Sequence, residues 1–148
     1  MQSRSVDVEG RRVVIVVADK GDDAVAAITD ASAQHGLQAA QITGVGGFSR
    51  ATLGYFDRDR SDYTPIPVDE QVEVLSFLGD LATSECTRVP HVHVVLGRSD
   101  GTTVGGHLQH AEVWPTLEVV LSEVGPQLAK RLDPQTGLAL IDLSQVAG

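Results

Sequence analysis

The 148-residue chain has one cysteine, Cys86, and very few aromatic residues: one tryptophan, two tyrosines and three phenylalanines. A single cysteine excludes an internal disulfide and is typical of a reducing compartment. Cys86 lies among polar residues without neighbouring cations, so we expect no nucleophilic role for it. Because aromatic residues are scarce, the core must be built mainly from valine, leucine, isoleucine and alanine.

The sequence also lacks an apolar run of membrane-spanning length, and its first residues lack the apolar core of a signal peptide. We therefore expect a cytoplasmic protein. Positive charge is scarce too, since eleven basic residues face twenty acidic ones, for a net charge of −9. A chain of this charge repels a phosphate backbone unless its basic residues cluster on one face. Direct nucleic-acid binding is therefore not expected.

What is present is the pattern of one globular domain over residues 1–148, with a core from about residue 12 to 144. We predict an α+β fold, with about seven strands in a mostly antiparallel sheet and one main helix packed on it. The apolar run 12–18 is typical of a strand buried on both faces. The other predicted strands cover 37–56, 63–68, 70–81, the hairpin 90–108, 118–124 and 138–144.

Local signals refine this outline. An aspartate cap and Gly36 bound a predicted helix over residues 24–35, with His35 in its last turn. The glycine cluster at 44–47 is not followed by a helical pattern, so we interpret it as a bulge or a close chain approach rather than a phosphate loop. Gly79 and Asp80 are predicted to form a turn. Pro115 is predicted to open a helical turn, and residues 127–132 a short helix.

The richest stretch is PHVHVVLGRSDGTTVGGHL at 90–108, which holds three of the five histidines. Side chains alternate along a strand, so His91 and His93 share one face. A three-residue loop with Gly101 left-handed would set His93 opposite His107 and leave His91 diagonal to it, at roughly 7 Å. A two-residue loop would turn His107 to the other face. A bulge at Gly105 and Gly106 would change the register again. The loop and the presence or absence of this bulge therefore decide whether the three imidazoles converge.

Three neutral imidazoles and an open position form a known zinc arrangement, so His91, His93 and His107 are candidate ligands of a divalent metal. Glu73, Glu112 and Glu118 are the candidate acids. Each could orient a ligand imidazole from the second coordination layer or serve as a general base. The alternative is that the histidines only form hydrogen bonds, for example across a subunit interface.

The chain is similar to the "plants and prokaryotes conserved" (PPC) domain family from about residue 13 to 143. The similarity is carried by ITGVGGFSRATLGYFD (42–57), QVEVLSFLGDL (71–81), the histidine hairpin (90–108), PTLEVVL (115–121) and DPQTGLALIDL (133–143). The resemblance implies a homotrimer, and a zinc cofactor on His91, His93 and His107. Plant members carry DNA-binding AT-hooks, whose Gly-Arg-Pro core is missing here.

Three functions follow as expectations. The first is a stand-alone trimeric domain that binds zinc and a small molecule or a protein partner through the histidine face. The second is a zinc-dependent hydrolase or lyase that uses metal-bound water, with a glutamate as base. The third, direct DNA binding, would rest only on analogy with the plant relatives.

Overall fold

The computed structural model describes residues 1–84, 87–125 and 128–145, so Cys86 lies outside the described residues. Within these ranges there are nine strands, one α-helix and a 3-10 turn. The strands are β1 (Gln2–Val8), β2 (Arg11–Asp19), β3 (Ala40–Asp57), β4 (Asp62–Val68), β5 (Val72–Ser84), β6 (Thr87–Gly97), β7 (Thr103–Glu123), β8 (Ala129–Leu132) and β9 (Ala139–Ile141). The helix is α1 (Ala24–Gln34), and the 3-10 turn is Leu143–Gln145.

All strand pairs in this sheet are antiparallel except β5 with β8. Two long strands, β3 and β7, connect its parts. Each pairs with several neighbours, so that β3, β5, β6 and β7 form a closed circuit of pairings. The predicted α+β class with a mostly antiparallel sheet is confirmed. Among the described residues, no helix is both long and apolar enough to cross a membrane.

The core consists mainly of buried residues from the helix and from strands β2 to β7. On β2, Val14 and Val16 are fully buried while Ile15 between them is 42% exposed. The prediction that this strand is buried on both faces is therefore wrong for the single chain. A continuous β-branched run does not by itself reveal which face the rest of the chain covers.

The predicted helix and its caps are confirmed. The Asp23 side chain accepts a hydrogen bond from the Ala26 backbone N–H at 2.7 Å. Gly36 takes a φ of 64° just after the helix, a conformation that costs glycine little. His35 is the C-cap residue, and its Nε2 lies 3.0 Å from the Ser3 hydroxyl.

Two glycines mark places where strands approach too closely for a side chain. The pairing of β3 with β5 shifts between Thr43 and Gly46, which confirms the predicted bulge. A Cβ on Gly46 would lie 2.3 Å from the Thr116 carbonyl oxygen. A Cβ on Gly79 would lie 2.1 Å from the His91 carbonyl oxygen. Gly79 is therefore a strand residue that allows close pairing with β6, and the predicted turn at Gly79 and Asp80 is wrong.

The other differences lie in elements with weak sequence signals. β1 is mostly polar and was not predicted, but it pairs with β2 along its whole length. Pro115 lies inside β7 after a cis peptide bond instead of opening a helical turn. Residues 129–132 form β8 rather than a helix. By contrast, the predicted edge strand around Pro65 and Pro67 is confirmed as β4, which pairs only with β3 among the described strands.

Candidate metal centre

The tight turn between β6 and β7 sets the register of the histidine hairpin. The Arg98 backbone N–H donates to the Thr102 carbonyl at 2.9 Å, and the Gly101 N–H donates to the Arg98 carbonyl at 3.0 Å. Gly101 has a φ of 84°, as expected for the left-handed residue of a three-residue hairpin loop. His93 consequently faces His107. The three-residue alternative is confirmed.

This register brings three imidazoles together. One ligand nitrogen from each of His91, His93 and His107 lies within 4.8 Å of the other two. The ring centroids are 5.1 Å (91–93), 5.2 Å (91–107) and 5.7 Å (93–107) apart. Val92 and Val94 alternate with the two strand histidines and are each only 2% exposed. Burial of the valines therefore fixes the face on which the histidines project.

The spacing suits a divalent metal ion. An ion at the centre of an equilateral triangle with 4.8 Å sides lies about 2.8 Å from each corner, whereas zinc–imidazole distances are about 2.0–2.1 Å. With the ion at this centre, each nitrogen would have to move inward by no more than about 0.8 Å. Small side-chain rotations provide such a movement, because terminal imidazole torsions are broad.

His107 is the innermost of the three. Its ring stacks on Tyr63, with centroids 4.8 Å apart and planes 28° from parallel. Its Nδ1 is buried and has no hydrogen-bond partner among the described residues. A buried polar atom without a hydrogen-bond partner lowers the free energy of unfolding by about 1–3 kcal/mol unless something binds it.

Partial burial favours the neutral form of two of these imidazoles. It lowers the pKa of His107 to about 4, helped by the nearby charges of His91, His93 and Lys130. The pKa of His93 is also lowered, first by burial and then by His91. Neutral imidazole is the form that coordinates a metal, so little proton competition is expected at neutral pH.

Asp80 lies on β5, where it is paired with His91 of β6. Its Oδ2 is 3.8 Å from His91 Nδ1, an electrostatic contact longer than a hydrogen bond. Its Oδ1 is 2.5 Å from Lys130 Nζ. Burial raises the pKa of Asp80, but the nearby His91 and Lys130 outweigh it, so the pKa is lowered overall. Asp80 is thus a carboxylate placed to orient a ligand imidazole.

The candidate glutamates lie elsewhere. Glu73 lies near the other end of β5 and faces Gly97 of β6. Glu118 lies on β7 and faces Val17 of β2. The Glu112 carboxylate accepts a hydrogen bond from Ser49 at 2.8 Å and another from Arg50 at 2.7 Å. Across the described ranges, none of the three forms a hydrogen bond or ion pair with His91, His93 or His107.

Sequence reasoning missed three residues that surround the histidines. The sequence patterns predict a turn at Asp80, a short helix at Lys130 and only an edge strand at Tyr63. Strand propensity running on past Gly79 was the available signal for Asp80, since an antiparallel β5–β6 pair sets Asp80 opposite His91. We find no such signal for Lys130 or Tyr63, because their positions depend on how distant strands pair.

A cavity of about 300 Å³ adjoins the cluster. His91 and His107 lie in its wall together with Tyr63 and Lys130. An ion held by the three histidines would therefore lie beside a space large enough for a small molecule.

Residues 6–125 match the Plants and Prokaryotes Conserved (PCC) domain. The chain belongs to this family. A solved structure described as a metal-containing protein from Archaeoglobus fulgidus is 33% identical to this PCC domain, with a TM-score of 0.80 over 87% of this chain and 91% of that one. A PPC protein from Pyrococcus horikoshii is 25% identical, with a TM-score of 0.82 over 95% and 94% of the two chains.

The PCC domain is also similar to part of a larger curated protein. It is 32% identical over 117 residues to the bifunctional protein GlmU of Synechococcus sp. strain JA-3-3Ab. The match covers 77% of this chain but only 18% of that protein. The chain thus spans less than a fifth of the length of this relative.

Proposed function

We propose that this PCC domain binds a divalent metal ion, zinc, through His91, His93 and His107, and that the bound ion anchors a small ligand or a protein partner. The observation that carries the proposal is the convergence of the three imidazoles from two strands. The 33% identical archaeal protein described as metal-containing supports it. So does the chemistry of the donors, since imidazole nitrogen is a common zinc ligand.

The surrounding residues have defined parts in this proposal. The hairpin holds His93 opposite His107, and Asp80, 3.8 Å from His91 Nδ1, orients the His91 imidazole. When bound, zinc supplies a Lewis-acidic centre that favours anionic or lone-pair donors. His91, His93 and His107 would supply three of the four ligands that zinc usually takes, so one position beside the cavity would be open to such a donor.

We propose binding rather than catalysis. A zinc-dependent hydrolase or lyase needs a general base near the open position. Glu73 and Glu118, the residues suggested by the sequence, contact none of the three histidines among the residues that the structure describes. Asp80 is already engaged by Lys130 at 2.5 Å. Direct DNA binding is not proposed either, because the net charge is −9.

Elemental analysis tests the metal directly. The protein would be purified without a histidine tag, dialysed against a weak chelator and analysed by inductively coupled plasma mass spectrometry. We expect about one zinc ion per chain. Full stripping with a strong chelator should lower the melting temperature, because a ligand that binds only the native state stabilises it. A metal content near zero, with a melting temperature unaffected by added zinc, would refute the proposal.

We also propose that the domain assembles as a homotrimer, as the family resemblance implies. An exposed apolar row supports an assembly. Ile15 faces Val120, Val120 faces Thr43, Thr43 faces Leu78, and Leu78 faces His93. Directly paired residues point to the same side of a sheet, so this row lies on one face and leads to the candidate metal centre. Ile15, Val120 and Leu78 are 42%, 38% and 56% exposed in the single chain.

Light scattering on size-fractionated protein tests the assembly. We expect a mass of three chains, and a smaller species for Leu78→Asp, since a charge in an apolar contact is costly to bury. Leu140→Asp is the matched control, because Leu140 is 48% exposed but lies outside this row. Wild-type protein that runs as a monomer at micromolar concentration would contradict the proposal.

A further inference from the structure

The cavity beside the candidate metal centre has walls of two kinds. His91 and His107 form its boundary with the centre, and the Lys130 side chain, only 7% exposed, contributes a buried cation. Most of the remaining wall is apolar and comes from distant parts of the chain. Its larger members are Val89, Pro90, Leu138 and Leu140.

The charge of this wall is unusual for the chain. The protein carries a net charge of −9, but among the described lining residues Lys130 is the one with a formal charge and no carboxylate is present. Asp80, the ion-pair partner of Lys130, lies outside the lining. An ammonium group has three N–H donors, so the Asp80 contact does not exhaust its capacity. The described lining residues therefore present no carboxylate to an anion, and Lys130 has N–H donors left to bind one.

The apolar part of the wall limits which anions fit. Phosphate and sulfate are strongly hydrated on all sides, so the oxygens that face Val89 and Leu138 would lose their hydration without compensation. The cavity volume is about 300 Å³. It holds on the order of ten non-hydrogen atoms, since a liquid water molecule occupies about 30 Å³. The chemistry therefore selects a small molecule with a single anionic head and an apolar body.

We propose that this cavity binds a small monocarboxylate. Its carboxylate is held by Lys130 and by the open position of the metal, and its aliphatic or aromatic body packs against the apolar wall. The inference rests on the proposed metal-binding function for the second of these two head-group contacts. The Lys130 contact and the apolar packing are independent of the metal.

Isothermal titration of the full chain with isovalerate tests the proposal. Isovaleramide has the same shape without the charge, and acetate has the charge without the apolar body. We expect isovalerate to bind zinc-loaded protein about tenfold to a hundredfold more tightly than isovaleramide, because a hydrogen bond to a charged group adds that much. Acetate should also bind more weakly than isovalerate. Equal affinity for isovalerate and isovaleramide would overturn the proposal, and so would the absence of saturable isovalerate binding.

Lys130→Met removes the ammonium and keeps the apolar stem, so isovalerate should bind about tenfold to a hundredfold more weakly. Lys130→Arg should restore most of the affinity.

A second pair of variants leaves the Lys130–Asp80 ion pair intact. Val89 is 56% exposed, so Val89→Glu and Val89→Gln should both fold. Val89→Glu should weaken isovalerate binding about tenfold relative to Val89→Gln, because it adds a like charge to the wall. The proposal would be contradicted if Lys130→Met bound isovalerate as tightly as Lys130→Arg, and Val89→Glu as tightly as Val89→Gln.

His93→Ala separates this inference from the proposed function, because His93 is a candidate ligand but does not line the cavity. Isovalerate binding that persists without zinc and depends on Lys130 supports the carboxylate site even where zinc binding fails. Zinc that binds to wild-type protein while isovalerate does not would overturn the carboxylate site and leave the metal proposal intact.

Discussion

The five histidines of the chain fall into two groups that differ in what their ring nitrogens contact. His35 Nε2 lies 3.0 Å from the Ser3 hydroxyl, and His110 Nδ1 lies 2.5 Å from Asp23 Oδ2. Each of these two isolated histidines therefore has a polar partner within the fold. In the other group, His107 has a buried Nδ1 without a hydrogen-bond partner among the described residues, and its nearest ring neighbours are two further histidines and Tyr63.

The two groups therefore differ in whether the ring nitrogens already have a polar partner in the fold or are left to bind something else. The contacts of His35 and His110 with Ser3 and Asp23 already give each ring a polar partner. In the cluster, burial lowers the pKa of His93 and His107, which favours neutral rings with free lone pairs. Free lone pairs that converge within 4.8 Å are the condition for metal binding.

The largest expected effect compares one member of each group. His93→Ala should reduce zinc affinity by more than about a hundredfold, since changes behind the ligands alone cost 10–100-fold. His110→Ala should leave zinc affinity unchanged. Both side chains are exposed, so neither substitution disturbs the core. Competition with a chromogenic chelator measures both affinities, and an equal loss in the two variants would erase the distinction between the groups.

Asp80→Asn should have the next largest effect on the metal. Asn keeps the size of the side chain but removes the charge that faces His91. We expect zinc affinity to fall about 10–100-fold. Asp142→Asn is the control, because it removes a carboxylate from the Arg131 ion pair instead. Unchanged affinity in Asp80→Asn would show that Asp80 serves only Lys130, whereas the expected loss would confirm its role behind the metal.

The lowered pKa of His107 gives a pH dependence to the metal-free protein. Between the ordinary histidine pKa of 6.5 and about 4, the unfolded chain holds a proton on this residue that the folded chain does not. The free energy of unfolding contributed by His107 is therefore present above pH 6.5 and is lost as the pH falls towards 4. Urea unfolding in chelator from pH 4.5 to 7 should show a weaker pH dependence in His107→Gln than in wild type. Parallel curves would mean that His107 is protonated normally in the fold.

The smallest effect concerns the isolated group. His110→Ala should lower the free energy of unfolding by no more than about 1 kcal/mol, because exposed ion pairs contribute little. The Asp23 cap of the helix remains, since its Oδ1 accepts from Ala26 rather than from His110. Chemical denaturation of the metal-free protein provides the value. A loss of several kcal/mol would show that His110 has a structural role that its exposure conceals.

The sequence predicted the parts of this protein that depend on local signals. The Asp23 and Gly36 caps bound the helix, and Gly101 made a three-residue hairpin loop possible. With the alternation of His91, Val92 and His93, that loop was enough to set the histidines in register. These features were predictable because short stretches of chain decide them.

The features that could not be predicted depend on pairing between distant strands. β1 carries few apolar residues because it lies at the edge of the sheet, so it lacks the signal of a strand. Gly79 has turn chemistry in the sequence, but here it gives β6 room to pair closely. Lys130 reaches Asp80 only because β8 adds in parallel to β5. Nothing within a window of ten residues around Lys130 contains that information.

The central claim is that the three histidines of the hairpin hold one metal ion. Diffraction data from zinc-loaded crystals on both sides of the zinc absorption edge test it most directly. We predict one anomalous peak per chain, about 2.0–2.1 Å from a nitrogen of each of His91, His93 and His107. An anomalous map without a peak between these imidazoles, or with its peak beside His35 or His110, would contradict the claim.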